Sequence, residues 1–409
     1  MNVRSLKTTA SVAVVVMVVL GGAALLAPTR AAAFTPDYRG VLLKGAKWGY
    51  LDTAGRVVIA PKFDEAKGFS GGRAAVRVGD KWGYADVRGE VVIAPAFDAA
   101  EPFSQGLAAV AVEAWSPTLG TPRPTRAAMD LRWGYVDSAG TAVVPALYQA
   151  VGAFNGGRGL VKKGDKFGYV GRDGKVAIEP RFEWACGFSE GLAPVQIDHK
   201  WGFIDPSGNV VIEPQFRTAS ADGFRGGLAA VQVEEAFGNR WGFIDRTGKL
   251  VIAAEYDYVT SFSEGLATVR QNGKHGYVDA TGRVVVPIKY WGAEPFSEGL
   301  ARVEEKSDET GHWGYIDLAG RVAFSDTRLN APLRDGLIVA QVFKKGDDRP
   351  MGSWGFYDAA GRVAIRATLE WAEGFSEGLA PFATGANHAA LKRMQEIEDR
   401  GAPADVPGL

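Results

Sequence analysis

Short apolar runs separated by turn-forming residues recur along this chain with a base period of 34 residues. Each copy reads LAAV or LATV, then KWGYID, then VVIAP, as in the stretch KWGYLDTAGRVVIAP that begins at Lys47. None of these runs is long enough for a helix, and the residues between them are mostly Gly, Pro, Asp and Ser, which is the pattern of short strands in tight hairpins. The sequence therefore predicts an all-β repeat protein, although some helical repeats have a similar period.

Nine copies can be aligned on the residue that precedes the Gly of the KWGYID run. These anchor residues are Trp48, Trp82, Trp133, Phe167, Trp201, Trp241, His275, Trp313 and Trp354. Three short strands cannot enclose a core of their own, so the apolar side chains of each copy must be buried against neighbouring copies. We expect nine three-stranded units in one tandem array over residues 38–382, with the anchors as structural packing residues.

The array could be an open, curved, solenoid-like stack or a closed β-propeller. The chain begins with an apolar run at residues 40–45 and ends with another at residues 378–382, so no strand is obviously missing from either terminal unit. Nine units also exceed the usual count of about four to eight blades in propellers. We therefore favour the open array, with propeller-like closure as the alternative.

Each unit carries a turn signature after its anchor, with Asp four residues on and Gly seven residues on. The pairs are Asp52 and Gly55, Asp86 and Gly89, Asp137 and Gly140, Asp205 and Gly208, Asp245 and Gly248, Asp279 and Gly282, Asp317 and Gly320, and Asp358 and Gly361; the unit of Phe167 has Gly171 in place of the Asp. In such turns the Asp side chain binds backbone amides and the Gly adopts a positive φ. No calcium-loop motif accompanies these carboxylates, so we interpret them as turn caps.

Ser, Cys and His, which are common in catalytic and metal sites, occur in this chain in patterns that argue against catalysis and metal binding. A serine recurs in six copies of the motif that reads FSEG in its commonest form: Ser70, Ser104, Ser189, Ser263, Ser297 and Ser376. A catalytic group is not expected in six equivalent copies. Cys186 is the only cysteine, and the four histidines do not have the spacing of metal ligands. We predict no catalytic residue, no cofactor and no metal site.

Four connections between the LAxV and WG runs are longer than the rest. From the last Gly of one unit to the next anchor there are 10 residues in regular copies, but 27, 14, 14 and 18 in the four long ones. Because they interrupt the same turn, we expect these insertions to emerge on one face. The alternative is that these insertions have no binding role, because lengthening a surface loop costs little closure entropy. Trp115, Phe237 and Phe343 in these loops are our candidate binding residues.

The recurring KWGYID..G.VVI.P.F.....FSEGLA.V pattern resembles the bacterial WG-repeat (KWG) family, from Tyr38 to about Phe382. The resemblance implies an array of interaction modules, often exported or associated with the cell surface, without a common activity. The chain departs from the family pattern at Phe167, at His275 and over residues 325–333.

The N-terminal residues 1–33 have the composition of an export signal. Arg4 and Lys7 precede an uncharged stretch, and small residues lead up to Ala33, after which we expect cleavage. The alternative is an uncleaved membrane anchor. Residues 383–409 form a tail in which residues 387–400 suit a short amphipathic helix. The chain beyond residue 33 has 43 basic and 47 acidic residues, which disfavours a nucleic-acid partner.

These features together predict a secreted or periplasmic protein that is not an enzyme. We expect a binding or scaffold module for an unknown protein partner. The alternative is binding of cell-wall or other carbohydrate through aromatic side chains, since the chain has 11 Trp. Contact with a membrane is expected only through the N-terminal segment, if it is not cleaved.

Overall fold

The protein is a closed β-propeller of nine blades. A computed structural model describes residues 42–113, 131–235, 238–306, 312–325, 331–342 and 353–386. Within these residues the strands form nine antiparallel sheets, eight with four strands and one with three. The predicted all-β tandem array is confirmed, but the preferred open stack is wrong, and the alternative of propeller closure is the observed one.

We number the strands β1 to β35 in chain order, and within a blade we label them A to D from the ring axis outwards. Blade 1 combines β34 (Trp371–Ala372), β35 (Leu379–Thr384), β1 (Lys47–Asp52) and β2 (Val57–Phe63). Blade 2 contains β3 to β6 (Glu65–Ser70, Arg73–Val78, Lys81–Asp86, Val91–Phe97). Blade 3 contains β7 to β10 (Ala99–Ser104, Leu107–Glu113, Leu131–Asp137, Ala142–Tyr148). Blade 4 contains β11 to β14 (Ala150–Asn155, Arg158–Lys163, Lys166–Gly171, Val176–Phe182).

The remaining blades follow the same order along the chain. Blade 5 contains β15 to β18 (Trp184–Ala185, Ala193–Ile197, Lys200–Ile204, Val210–Phe216). Blade 6 contains β19 to β22 (Thr218–Arg225, Leu228–Glu235, Gly238–Ile244, Leu250–Tyr256). Blade 7 contains β23 to β26 (Tyr258–Val259, Leu266–Gln271, Lys274–Asp279, Val284–Tyr290). Blade 8 contains β27 to β30 (Gly292–Ala293, Leu300–Lys306, His312–Asp317, Val322–Ser325), and blade 9 contains β31 to β33 (Leu337–Val342, Ser353–Asp358, Val363–Leu369).

Blade 1 closes the ring because it takes strands from both ends of the described chain. β35 pairs with β1 over six residue pairs, including Trp48 with Ala383. The first copy needs this strand because it has no LAxV strand of its own before the anchor. The sequence predicted a strand at residues 40–45. The structure describes residues 42–45 of this run and shows no strand there, since Leu42 and Leu43 lie in a helical turn. Both sequence arguments for the open array therefore fail, because this run is not a strand and nine units do close into a ring.

A fourth strand, which the sequence pattern did not predict, lies on the inner side of eight blades. This strand A runs towards the Phe of the FSEG motif and is as short as two residues in blade 5. Strand A of one blade touches strand A of the next, as where the Ser70 hydroxyl donates to the carbonyl of Phe103. Strand D lies on the outside, where Val57 and Val58 are exposed.

The hydrophobic core lies between blades. In eight of the nine units the aromatic residue two positions after the anchor packs edge-on or tilted against the aromatic ring at the end of the next strand A segment, as for Tyr50 and Phe69 with ring centroids 4.8 Å apart. In blade 8, Tyr315 instead stacks on Phe324 of its own strand D. The Tyr50 hydroxyl also donates to the carbonyl of Lys67 in blade 2 at 2.7 Å. Each unit therefore completes the core of its neighbour, as expected of repeats that cannot fold singly. No helix in the described part of the chain is long and apolar enough to cross a membrane.

Candidate binding face

The ring has two faces, and each face carries a different set of connections between strands. Consecutive strands run in opposite directions, so the A–B and C–D turns share one face, which we call the turn face. The B–C and D–A connections share the opposite face, which we call the loop face. The four long insertions predicted from the sequence interrupt B–C connections and therefore join strand ends on the loop face.

The C–D turns of the turn face are closed by the Asp residues found in the sequence. Asp52 Oδ1 accepts the backbone N–H groups of Ala54 and Arg56 at 3.0 and 2.9 Å. The same two bonds recur in the other seven Asp turns, whose carboxylates belong to Asp86, Asp137, Asp205, Asp245, Asp279, Asp317 and Asp358. In blade 4, where Gly171 replaces the Asp, Asp173 accepts the amide of Lys175 instead.

The turn glycines dock each turn on the preceding blade. Gly89 has a φ of 81°, and a Cβ placed there would lie 2.7 Å from the side chain of Ile59 in blade 1. These C–D turns are thus packing elements. Among the described residues, no group of three His, Cys, Asp or Glu could hold a metal ion.

The A–B turns bind neighbouring blades together through the serines of the FSEG motif. Each of the six hydroxyls donates to a backbone carbonyl of the next blade, at 2.6 to 2.9 Å: Ser70 to Phe103, Ser104 to Phe154, Ser189 to Phe224, Ser263 to Phe296, Ser297 to Leu333 and Ser376 to Phe69. The last bond spans the closure of the ring. The adjacent carboxylate of Glu190 accepts the amides of Gly226 and Gly227 in blade 6 at 2.8 and 3.0 Å.

Three of these copies spell G-x-S-x-G, at residues 68–72, 187–191 and 374–378, which is the motif of a hydrolase nucleophile elbow. In hydrolases that serine lies between a strand and a helix. Here it lies in a turn between two antiparallel strands, and its hydroxyl is engaged with a carbonyl of the next blade. The motif therefore has the wrong structural context for that chemistry.

The anchors lie just below the loop face, one residue after the start of most C strands. Trp48, Trp133, Phe167 and Trp354 are buried. The other five are partly exposed: Trp82, Trp201, Trp241, His275 and Trp313. The anchors thus contribute packing in every blade and some aromatic surface in more than half of them.

A basic residue before the anchor and an acidic residue in the D–A connection form ion pairs on the loop face. Lys47 Nζ lies 2.6 Å from Asp64, whose second oxygen accepts the amide of Gly79 in the B–C turn of blade 2. Lys81 and Asp98 repeat the pair at 2.5 Å. The hydrogen bonds from Lys47 and Gly79 hold the pKa of the Asp64 carboxyl below its usual value, although its burial acts in the opposite direction.

Blade 7 departs from this arrangement. His275 stands in the anchor position, and Trp291 occupies the D–A position held by Asp98 in blade 2. Trp291 is 46% exposed, and the Lys274 ammonium lies 3.0 Å from its ring centroid. Burial lowers the pKa of His275; a hydrogen bond with the backbone of Trp291 opposes this shift, and the nearby Arg270 charge adds to it. Trp291 was not a candidate from the sequence; comparison of each repeat position with its equivalent in blade 2 is the signal that finds it.

Several residues singled out in the sequence have no described structure. Trp115, Phe237 and Phe343, the cleavage site at Ala33 and the tail helix predicted at residues 387–400 all lie outside the described residues. Cys186 is described and buried, and burial raises the pKa of its thiol to about 12. This thiol is therefore protonated at neutral pH, which argues against a reactive role.

Comparison with known families assigns the repeat. The family described as WG containing repeat matches residues 48–82, 82–113, 133–167, 167–201, 201–235, 241–274, 276–307 and 354–385. The chain belongs to the WG-repeat family. The matches leave out residues 308–353, which include Trp313 and the whole of residues 325–333, where the chain departs from the repeat pattern. No curated protein matches the chain significantly.

The chain is also similar to several solved structures. A eukaryotic initiation factor is 11% identical, with 78% of this chain and 94% of that chain covered and a TM-score of 0.52. The β-propeller domain of the Trilobed protease from Pyrococcus furiosus is 11% identical, with 64% and 98% covered and a TM-score of 0.35. PorZ, a surface component of the type-IX secretion system of Porphyromonas gingivalis, is 9% identical, with 73% and 45% covered and a TM-score of 0.31. Because the initiation factor is only 11% identical to this chain, the similarity between the two supports the fold and no functional conclusion.

Proposed function

We propose that this WG-repeat propeller is an exported, non-catalytic scaffold that binds a protein partner through its loop face. The export signal predicted over residues 1–33 supports the location outside the cytoplasm. The repeated serines and aspartates hold blades and turns together, so the proposal gives them no catalytic role.

The difference between the two faces carries the proposal. On the turn face, the polar groups of the repeat are engaged in bonds within turns and between blades, as for Ser189 and Asp52. The loop face has the ends of all four long connections and most of the partly exposed aromatic side chains. Aromatic residues with adjacent charges are typical of protein interfaces, and loops on a rigid scaffold commonly carry binding.

Carbohydrate binding is the second candidate, and the exposure of Trp291 favours it. An indole ring on a surface can stack on the apolar face of a sugar. Trp371 is less suited to this role because its ring packs on Trp354 with centroids 4.7 Å apart. The two candidates therefore predict different effects for a change at Trp291.

The test is affinity capture with the exported chain as bait, followed by cross-linking of the captured complex. Residues 116–128 can be removed without cutting a strand, because Glu113 and Leu131 still pair as the base of the hairpin. We expect this deletion to abolish capture and leave thermal unfolding almost unchanged. We expect cross-links from the partner to Lys81 and Lys200 on the loop face, and few to Lys175 and Lys249 on the turn face.

The control variant is Arg56→Ala, which changes an exposed side chain of the turn face. It should capture the partner as the wild type does. Retained capture by the 116–128 deletion, or cross-links concentrated on the turn face, would reject the loop-face proposal. Retention on immobilised peptidoglycan that is lost in Trp291→Ala would favour the carbohydrate candidate instead.

A further inference from the structure

Among the described residues, the A–B turns bind a side-chain oxygen of the preceding blade at six of the nine junctions of the ring. In blade 6, the amides of Gly226 and Gly227 donate to the two carboxylate oxygens of Glu190 in blade 5, at 2.8 and 3.0 Å. The other acceptors are Glu377 on blade 2, Gln105 on blade 4, Glu264 on blade 8, Glu298 on blade 9 and Asp335 on blade 1. These turn amides are therefore a repeated receptor for a side-chain oxygen, most often that of a carboxylate.

At the other three junctions a glycine replaces the side chain that supplies this oxygen. Gly71, Gly156 and Gly226 stand at the position of the FSEG glutamate. Within the described part of the chain, the amides of the turns that follow them have no acceptor: Gln105 and Gly106, Glu190 and Gly191, and Glu264 and Gly265. Glu264 and Gly265 have φ values of 53° and 84°, close to those of the carboxylate-bound pair in blade 6, at 60° and 79°. The turn of blade 7 thus has the backbone shape that binds a carboxylate.

The junction between blades 6 and 7 adds a cation to such an amide pair. Arg225 occupies the serine position of the FSEG motif there, whereas the other two junctions have Ser70 and Asn155. Arg225 is exposed and forms no ion pair with the residues that the structure describes. The ring thus places a guanidinium group one residue before Gly226, the glycine that replaces the acid.

Side chains at this serine position reach the strand A segment of the next blade. The Cβ of Ser189 lies 3.4 Å from a Cβ placed on Gly223 in blade 6. The Cδ of Arg334, which is the other Arg at this position, lies 3.6 Å from a Cβ placed on Gly374 in blade 1. Arg225 starts from the equivalent point, so its guanidinium can reach the turn of blade 7.

The turn of blade 6 also leaves room for a ligand. No atom lies within 4 Å of a Cβ placed on Gly226, where the side chain of the repeat would begin. At the equivalent Gly156, a Cβ would lie 2.9 Å from the Cβ of Phe188. The Glu264 carboxylate does not fill this room, because it accepts the amide of Gly299 in blade 8 at 2.8 Å. A carboxylate can therefore approach the amides of blade 7 from the side of blade 6.

We propose that the junction between blades 6 and 7 is a binding site for a carboxylate, formed by the amides of Glu264 and Gly265 and the guanidinium of Arg225. Each carboxylate oxygen accepts one amide, as the Glu190 carboxylate does in blade 6. Successive amides in such a turn form a concave anion site, and a guanidinium adds a charge-assisted hydrogen bond. The site lies on the turn face, so it goes beyond the proposed loop-face function and does not depend on it.

The chemistry of the site identifies the ligand by its carboxylate, which a small free acid or a glutamate side chain of a peptide can supply. Two probes separate these sources. Glutarate reproduces the end of a glutamate side chain as a free acid. The capped peptide acetyl-Ser-Glu-Gly-amide reproduces the FSEG turn that occupies the equivalent amides at the junction between blades 5 and 6.

The experiment is an NMR titration of the full chain, labelled with carbonyl-¹³C glutamate and ¹⁵N glycine. Only the amides of glycines that follow a glutamate give signals: Gly191, Gly265, Gly299, Gly374 and Gly378. We expect the Gly265 signal to shift and saturate with glutarate or with the capped peptide. The amides of Gly299 and Gly378 already donate to internal carboxylates, so their signals are controls within the same spectrum and should not follow the titration.

Three variants test the parts of the site. Gly226→Glu supplies the internal carboxylate that the junction lacks, so it should shift the Gly265 signal without ligand and abolish the titration. Gly273→Glu is the matched control, since it adds the same charge on the opposite face of blade 7, at a glycine with a φ of 76° and no atom within 4 Å of a Cβ. This control should titrate as the wild type does. Arg225→Ser restores the commonest residue of the motif and should weaken binding by about two- to fivefold, the effect of one exposed ion pair.

Several results would overturn the site. These are no saturable shift of Gly265 with either probe, equal shifts of Gly265 and Gly299, or an unchanged titration in Gly226→Glu. A larger response to inorganic phosphate than to glutarate would overturn the carboxylate assignment. A response to glutarate alone would support a free acid as the ligand, and a response to the peptide alone would support an acidic side chain. The wild-type titration needs no variant, and thermal unfolding checks that each variant keeps its fold.

Discussion

At the scale of single residues, the glycine that follows each anchor is one of the positions that do not vary in the repeat. Anchors vary, as at Phe167 and His275, but the following Gly does not. A Cβ on Gly83 would lie 2.4 Å from the carbonyl oxygen of Ile93 and 2.8 Å from the nitrogen of Pro95. The cause is the bulge in strand D, where Trp82 pairs with Phe97 but Tyr84 pairs with Ile93. The sequence shows that this Gly recurs, and only the bulge explains why.

We predict that Gly83→Ala destabilises the protein by about 2–3 kcal/mol, because a methyl group would be forced against backbone atoms that cannot move independently. The matched control is Gly314→Ala in blade 8, where the first contact is the Ser325 hydroxyl at 3.0 Å. This side chain can rotate away, so the cost should be smaller. Chemical denaturation of both variants measures the difference, and equal costs would contradict the steric explanation.

At the scale of elements, the turns of the turn face connect blades as well as strands. In the A–B turns, the serine hydroxyls of the FSEG motif donate hydrogen bonds to the next blade. The glycines of the C–D turns pack against strand D of the preceding blade. Each turn therefore couples its own hairpin to a neighbouring hairpin, in addition to the aromatic contacts of the core. The sequence identified these turns through Asp, Ser and Gly, but not the neighbour that each one contacts.

The C–D turns make stability sensitive to acid. Hydrogen bonds, first from the Thr281 hydroxyl, lower the pKa of Asp279 to about 2. A carboxyl whose pKa is lower in the folded state than in the unfolded state stabilises the fold above its unfolded pKa, near 3.8, and loses that effect as the pH falls towards 2. The same direction holds for Asp52, Asp205 and Asp358.

We therefore expect the free energy of unfolding to fall between about pH 4 and pH 2. Asp279→Asn should make this decline shallower, because one titrating group is removed while the side-chain oxygen can still accept the turn amides. Thr281→Val should act in the same direction by raising the pKa of Asp279. Denaturant unfolding at a series of pH values gives the slope, and an unchanged slope in both variants would exclude a contribution from this turn.

At the scale of the whole molecule, closure of the ring depends on the pairing of the first and last strands. β1 is held between β35 and β2, so Trp48 and Tyr50 are buried only while the C-terminal strand is in place. The Ser376 hydroxyl and the Glu377 carboxylate extend the closure to blade 2, at Phe69 and Gly71. An interrupted ring would expose an apolar inter-blade surface at both ends.

Truncation after Leu369 should therefore be severely destabilising, because it removes β34 and β35 and leaves half of blade 1. We expect aggregation or loss of cooperative thermal unfolding. Truncation after Ala386 removes neither strand and should preserve a monodisperse, cooperatively unfolding protein. Size-exclusion chromatography and calorimetry distinguish the two, and similar behaviour of both truncations would contradict the closure by β35.

The sequence by itself determined the all-β class, the nine repeats, the turn chemistry and the WG-repeat family, because these depend on local periodicity and on residues such as Asp52 and Gly55 that act within a few positions. It did not determine closure, since pairing of Trp48 with Ala383 joins residues at opposite ends of the chain and the count of strands was misread at residues 40–45. It also missed strand A, which in some blades is two residues long. So short a strand has too few residues to show an alternating pattern, and its pairing with strand B is a property of strand register, which the tertiary structure decides.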